Sequence, residues 1–180
     1  MGSQFLDLLL VDPAPLQARI RGDVADLVDA VYRAAEPPDE RLRPAFEVMA
    51  RGTFVFLPKR AEHPDGAMYG RAVEVLLASF AQRKWSLEYY PDESESPLWE
   101  LSYRACEAEW LDLPSSPSGI PAIAWRSPDT CRRLASSIAQ ALSSRSFNER
   151  YSPEATLREA KEALDVGSSS GHGLFTIFQG

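Results

Sequence analysis

The chain has 180 residues and a formal net charge of −7, with 44% hydrophobic and 25% charged residues. These values are typical of one globular domain, residues 1–180, which buries a sizeable core without disulfides or metals. The negative charge argues against a general nucleic-acid binder, and no apolar run approaches the roughly 18 residues of a membrane span. Because no basic region precedes the first apolar stretch, we expect no signal peptide and a cytoplasmic location.

The first third of the chain predicts one strand followed by three helices. Residues 5–11 form a short apolar run that is typical of a buried or edge strand. Asp23 is a suitable N-cap for the second helix. The helices are predicted over residues 16–20, 24–31 and 39–50. Residues 53–57 have strand composition, but so short a run is also compatible with a buried loop.

The clearest single element is an amphipathic helix over residues 68–85. Large apolar side chains recur at helical spacing along one face of it, with charged and small residues opposite. We therefore expect this face to pack against the core. The five apolar residues are Tyr69, Val73, Leu76, Leu77 and Phe80.

Beyond residue 85 the composition changes. Residues 86–97 are acidic, rich in serine and interrupted by prolines, which predicts a loop or a frayed strand. Three Ser-Pro pairs then have the cap-plus-proline pattern of helix starts: Ser96-Pro97, Ser127-Pro128 and Ser152-Pro153. The first of these helices is predicted to end near Glu109 and the third at Gly167. Strands are predicted over residues 120–125 and 173–179.

Together these elements predict the α+β class, in the form of a predominantly helical single domain. The sequence lacks the regular βαβ alternation that would demand a parallel sheet. We expect a small sheet in which the two terminal strands pair, with the helices on one face.

The acidic aromatic segment, which we define as residues 86–113, carries the whole net charge. Between Glu88 and Asp112 there are eight acids and one base, a net charge of −7, whereas the rest of the chain has 18 acids and 18 bases. Tryptophan and tyrosine are interleaved with these acids. The alternative remains that the aromatics pack inward and the acids only keep the chain soluble.

Carboxylates can steer a basic partner toward a surface, and aromatic side chains can anchor it there. We therefore predict a non-enzymatic domain that binds a protein with a basic surface, with no nucleic acid, membrane or cofactor involved. An immunity- or antitoxin-like role is the most specific form of this hypothesis. The predicted partner-binding residues are Tyr89, Tyr90, Asp92, Glu93, Glu95, Trp99, Glu100, Tyr103, Glu107 and Trp110.

An enzyme or small-ligand-binding domain is the alternative function. Its pocket would gather Tyr69, Trp99, Trp125 and His172. His172 lies between two glycines, and His63 lies in a polar loop, so a turn residue and a solvated residue are the simpler interpretations of the two histidines. We therefore assign no catalytic residue.

Metal and disulfide chemistry receive no support from the cysteines. Cys106 and Cys131 form no CxxC pair, and the chain has no HExxH motif. Two small buried side chains are a better interpretation of these cysteines than a disulfide framework. We predict no metal site.

Three short motifs occur in a characteristic order. They are YGRAVEVL at residues 69–76, IPAIAW at 120–125 and GHGL at 171–174, before an aromatic terminal strand. This layout resembles a family of small actinobacterial proteins catalogued as a domain of unknown function, and it is distantly similar to the YfbM-like proteins. The resemblance implies a small cytoplasmic α+β domain. It implies no reaction and no catalytic residues.

Overall fold

The computed structural model describes residues 4–20, 22–32, 39–50, 66–89, 97–102 and 122–179. Four strands form one antiparallel sheet: β1 (Gln4–Val11), β2 (Ala81–Tyr89), β3 (Ala122–Arg126) and β4 (Leu174–Gln179). The helices are α1 (Pro13–Ile20), α2 (Val24–Tyr32), α3 (Arg43–Ala50), α4 (Gly66–Phe80), α5 (Trp99–Ser102), α6 (Pro128–Ser144) and α7 (Glu154–Ser170), with a 3₁₀ turn at Glu40–Leu42. The predicted α+β class is confirmed.

The strand order across the sheet is β2-β1-β4-β3. The two terminal strands pair as predicted, from Phe5 opposite Gln179 to Leu9 opposite Phe175. β2 adds to the free side of β1, and β3 adds to the free side of β4. Among the described strands, β2 and β3 therefore lie at the two edges of the sheet. No described helix is long and apolar enough to cross a membrane.

Helices cover both faces of the sheet, so the expectation of helices on one face is wrong. Leu6, Leu8 and Leu10 of β1 join one buried cluster with α5, α6 and α7, which we call the α6–α7 face. Leu9 and Val11 join a second cluster with α1 to α4, which we call the α1–α4 face. The physical reason is visible in the sequence, because consecutive leucines place apolar side chains on both sides of a strand.

The predicted helix over residues 68–85 is correct only as far as Phe80. Val73, Leu76 and Leu77 are buried on the α1–α4 face, and Phe80 packs against the same cluster. The Tyr69 side chain lies outside the described part of the chain. From Ala81 onward the chain is β2, and its pairing with β1 overrides the helical pattern.

β2 also corrects the prediction of a loop or frayed strand from residue 86, since ordered strand continues to Tyr89. Its side chains alternate with period two. Trp85 and Leu87 are buried on the α6–α7 face, whereas Lys84, Ser86 and Glu88 are exposed on the other side. This alternation is typical of a strand with one covered face.

The predicted helix boundaries hold in part. Ser127 caps α6 as predicted, because its hydroxyl oxygen accepts a hydrogen bond from the Thr130 N–H at 3.1 Å. α7 differs at both ends: its N-cap is Pro153 rather than Ser152, and it continues past Gly167 to Ser170, with Gly171 as its C-cap. Gly167 does not end a helix. It permits close packing, since a Cβ there would lie 2.6 Å from Leu174 Cγ.

Several predicted features fall outside the described residues. They are the segment 53–57, His63, Cys106 and, in the helix predicted from Ser96-Pro97 to Glu109, the part beyond Ser102. Cys131 is described and lies buried in α6, as expected.

Candidate functional site

Two parts of the acidic aromatic segment are described: the end of the strand β2 and the short helix α5 with the two residues before it. Tyr89 is the last residue of β2, with its side chain outside the described residues, and Trp99 and Glu100 begin α5. Glu88 is exposed and Trp99 is half-buried. The other predicted partner-binding residues lie outside the described part of the chain: Tyr90, Asp92, Glu93, Glu95, Tyr103, Glu107 and Trp110.

Contacts with β3 and α6 hold α5 in position. The buried guanidinium of Arg126 donates a hydrogen bond to the Glu100 carbonyl oxygen at 2.8 Å. The Glu100 carboxylate accepts a second bond from Arg133 of α6 at 3.0 Å. Leu98 and Leu101 are buried on the α6–α7 face. Glu100 thus serves the attachment of the segment to the scaffold, and its carboxylate is already shared with a cation.

Trp85, which immediately precedes the segment, is part of the core and not of a surface. It is 5% exposed and packs on the α6–α7 face. The Arg83 guanidinium lies 4.5 Å from the centre of its ring, and Arg83 also pairs with Glu162 of α7 at 2.5 Å. This stack seals the ring from water. Trp85 is therefore unavailable as an anchor for a partner.

The described scaffold outside this segment largely neutralises its own charge. Its cations form ion pairs with acids near them in space, each contributing about 0–1 kcal/mol when exposed. The pairs include Arg19–Asp26, Arg41–Asp39, Arg43–Glu40, Arg71–Glu74, Arg132–Asp129, Arg158–Glu154 and Lys161–Asp165. The surplus negative charge of the chain therefore belongs to the segment alone.

Trp125 and His172, two members of the alternative pocket, lie together at one end of the sheet. The Trp125 indole Nε1–H donates to the His172 carbonyl oxygen at 3.1 Å. The His172 side chain is 30% exposed, and its Nδ1 lies 3.8 Å from Asp12 Oδ1. The same Asp12 oxygen accepts a hydrogen bond from the Ala14 N–H at the start of α1. An imidazole beside a carboxylate can exchange a proton with a bound molecule.

Gly173 fixes this end of the sheet. Its φ is +76°, and a Cβ there would lie 2.1 Å from the Arg126 carbonyl oxygen and 3.1 Å from Trp125 Nε1. A residue with a side chain would push the His172 turn away from β3. Gly173 therefore allows the His172 turn to come close enough for the hydrogen bond between Trp125 and the His172 carbonyl oxygen.

The other two members of the alternative pocket are not brought to this point by any described contact. Trp99 belongs to α5, whose neighbours Leu98 and Leu101 pack on the α6–α7 face, whereas Trp125 packs against the α1–α4 cluster. Tyr69 is in α4, and its side chain is outside the described residues. Two open surface grooves are lined by other residues, one between Leu142 and α7 and one along residues 145–149.

β1 contains a buried polar group, Asp7, whose burial was not predicted from the sequence. The Asp7 side chain is 8% exposed, its Oδ2 lies 2.8 Å from Lys84 Nζ, and its Oδ1 accepts a hydrogen bond from the Ser86 hydroxyl at 2.6 Å. An acid inside an apolar strand was the available signal. Its partners follow from the register of β1 and β2, which the sequence does not reveal.

Among the described residues, no group of three or more acidic, histidine or cysteine side chains could hold a metal ion. Comparison with protein-family models, curated proteins and solved structures finds no match. The family resemblance based on the three short motifs therefore stays a prediction.

Proposed function

We propose that this protein is a non-enzymatic interaction domain that binds a basic protein through the acidic aromatic segment, in an immunity- or antitoxin-like role. The observation that carries the proposal is the charge distribution: the 25 residues from Glu88 to Asp112 hold the whole net charge of −7. Charge concentrated in this way steers an oppositely charged partner and raises the association rate.

The scaffold supports this assignment in two ways. Its ion pairs leave the described surface elsewhere without a large surplus of either sign. The segment is also attached at two points: its first residues belong to β2, which pairs with β1, and Glu100 accepts hydrogen bonds from Arg126 and Arg133. A binding segment attached at two points loses less conformational entropy when it meets its partner.

Glu100 is left unchanged in the test, because neutralising it would disturb the attachment of α5 to the scaffold. The test variant is Asp92→Asn/Glu93→Gln/Glu95→Gln. The control variant Asp129→Asn/Glu159→Gln/Asp165→Asn removes the same charge from exposed positions on α6 and α7. Both variants and the wild type are used to capture partners from extracts of the source cells at low salt.

We expect a captured protein with a high isoelectric point, whose binding weakens steeply as salt rises. The test variant should bind the purified partner at least about tenfold more weakly, while the control binds like the wild type. If the immunity-like form is right, co-expression of the wild type should relieve growth inhibition by that partner. Equal binding by the test variant and the wild type would refute the proposal.

The second candidate is a small-ligand site at the end of the sheet. The observation that favours it is the approach of His172 to both Trp125 and Asp12. A thermal-shift screen with small metabolites tests it, with His172→Ala as the variant and His172→Asn as a milder substitution. A compound that stabilises the wild type but neither variant would favour this candidate. Equal shifts in all three proteins would dismiss it.

A further inference from the structure

β2 lies at one edge of the sheet that the described strands form. This nine-residue strand pairs with β1 on one side, and no other described strand pairs with it on the other. In an antiparallel edge strand, every second residue directs its backbone N–H and C=O away from the sheet. Such a row of groups is a template for another strand. The Glu88 carbonyl oxygen already accepts a hydrogen bond from the Thr156 hydroxyl of α7 at 3.4 Å. An added strand would donate a second hydrogen bond to the same oxygen.

The exposed side chains of β2 are self-complementary. On the α1–α4 side of the sheet they run Lys84, Ser86, Glu88, with a cation and an anion placed symmetrically about the serine. When two antiparallel copies of this strand meet with Ser86 at the centre, Lys84 of each lies opposite Glu88 of the other. Opposite charges directly across an antiparallel pair are stabilising, and like charges are destabilising.

We propose that the protein forms a twofold dimer in which β2 of one copy pairs antiparallel with β2 of a second copy, centred on Ser86. The two four-stranded sheets then become one continuous eight-stranded sheet, and each dimer contains two Lys84–Glu88 ion pairs. The register is specified by charge, because centring the pair on Lys84 or on Glu88 would place two identical charges face to face.

Two further features of the same surface fit a second copy. Phe5, which lies next to Glu88 across the β1–β2 pair, is 49% exposed and is the one large hydrophobic side chain exposed to that degree among the described residues. The Lys84 amine, held 2.8 Å from the buried Asp7 carboxylate, is fixed in place before the second copy arrives. A pre-positioned cation loses less side-chain entropy on pairing.

The first measurement is the mass of the wild-type protein in solution, by light scattering and sedimentation over a wide concentration range. We expect a concentration-dependent rise from 20.0 kDa toward twice that mass. A protein that stays monomeric at the highest soluble concentration would overturn the proposal.

Charge variants then locate the interface. Glu88→Lys places two lysines opposite each other, and Lys84→Glu places two glutamates opposite each other. Each variant alone should dimerise at least about tenfold more weakly, whereas an equimolar mixture of the two should regain dimers, since both ion pairs reform between unlike copies. The control Asp129→Lys makes the same charge change in α6, which follows β3 at the opposite edge, and should dimerise like the wild type.

A second experiment does not depend on the stability of Lys84→Glu, which places a carboxylate beside Asp7. In Ser86→Cys the new thiol lies on the twofold axis, so mild oxidation should trap a covalent dimer, whereas the exposed control Ser137→Cys should not. A wild-type dimer that Glu88→Lys leaves intact, or equal trapping of both cysteine variants, would assign the dimer to another surface and overturn the proposal. None of these substitutions touches residues 92–110, so failure here leaves the partner-binding proposal standing.

Discussion

On the α6–α7 face, two helices of 17 residues bury side chains from β1, β2 and β4 in one cluster. On the α1–α4 face, four helices of 8 to 15 residues bury side chains from β1, β3 and β4, and β2 contributes only its first residue, Ala81. Alternate residues of β1 serve the two clusters, with Leu6, Leu8 and Leu10 on one face and Leu9 and Val11 on the other. The two faces therefore differ mainly in whether their helices cover the edge strand β2.

This difference shows where the molecule can meet another chain. Trp85 and Leu87 are buried beneath α7 and its neighbours, but Lys84, Ser86 and Glu88 on the reverse side of the same strand are exposed. The acidic aromatic segment begins in this strand, at Ser86. Both proposed surfaces, one for a basic partner and one for a second copy, thus adjoin the strip of β2 that the α1–α4 helices leave uncovered.

The largest expected effects come from the cores of the two faces. Leu164→Ala in α7 and Leu27→Ala in α2 each remove a fully buried leucine, one from each cluster. Each should lower the free energy of unfolding by about 2–5 kcal/mol. Because β1 belongs to both clusters, each variant should still unfold in a single cooperative transition, followed by circular dichroism in urea. Two separate transitions in either variant would show that the faces unfold independently.

The turn that leads from the α6–α7 face into β4 gives the next effect. Gly171 and Gly173 have nearly equal φ values of 77° and 76°, but a Cβ on Gly171 meets open space, whereas one on Gly173 lies 2.1 Å from the Arg126 carbonyl oxygen. Gly171→Ala should cost roughly 1–2 kcal/mol from the left-handed backbone alone. Gly173→Ala should cost about 3 kcal/mol or more, measured by the same denaturation. Equal losses would mean that the close approach at Gly173 is relieved by movement of β3.

A smaller effect tests the uncovered strip of β2. Lys84→Met removes the cation that lies against the buried Asp7 carboxylate and should cost about 1–3 kcal/mol, because a buried charge loses a partner. Lys161→Met breaks an i,i+4 pair with the exposed Asp165 and should cost less than about 1 kcal/mol. The difference between the two losses in free energy of unfolding reports how much more an ion pair contributes when its carboxylate, Asp7, is buried. A loss for Lys84→Met no greater than that for the control would contradict this reasoning.

The sequence predicted the elements whose signals are local. Ser127-Pro128 marked the start of α6, the apolar stripe marked α4 as far as Phe80, and the aromatic run marked β4. The end of α4 was missed because Ala81 to Trp85 contains neither glycine nor proline. Its strand conformation comes from pairing with β1, which lies more than 70 residues away in sequence. Helix boundaries decided by such pairing are invisible to local propensity.

The candidate site was predictable to a similar extent. The concentration of charge follows from counting residues, and the burial of Trp85 agrees with the alternative that the aromatics pack inward. The alternative pocket of Tyr69, Trp99, Trp125 and His172 stays a prediction. The bond between Glu100 and Arg133 and the Asp7–Lys84 pair were not predicted, because each joins residues from different elements. Residue types indicate what chemistry is available. The register of the sheet decides which of those residues meet.

The smallest predicted effect belongs to the α1–α4 face and depends on pH. Asp39 accepts hydrogen bonds from the Arg41 backbone N–H and from the Arg41 guanidinium, which lower its pKa from the ordinary 3.8 to about 2. A carboxyl whose pKa is lower in the folded protein stabilises the fold above its unfolded pKa. That contribution is lost as the pH falls from about 4 through about 2. The wild type should therefore melt slightly above Asp39→Asn at pH 6, and the two melting temperatures should converge as the pH falls below about 2. Because the pair lies at the surface, raising the salt at pH 6 should shrink the difference as well. A difference that is constant across this pH range would show that the cap at the start of the 3₁₀ turn works through its hydrogen bond alone, without its charge.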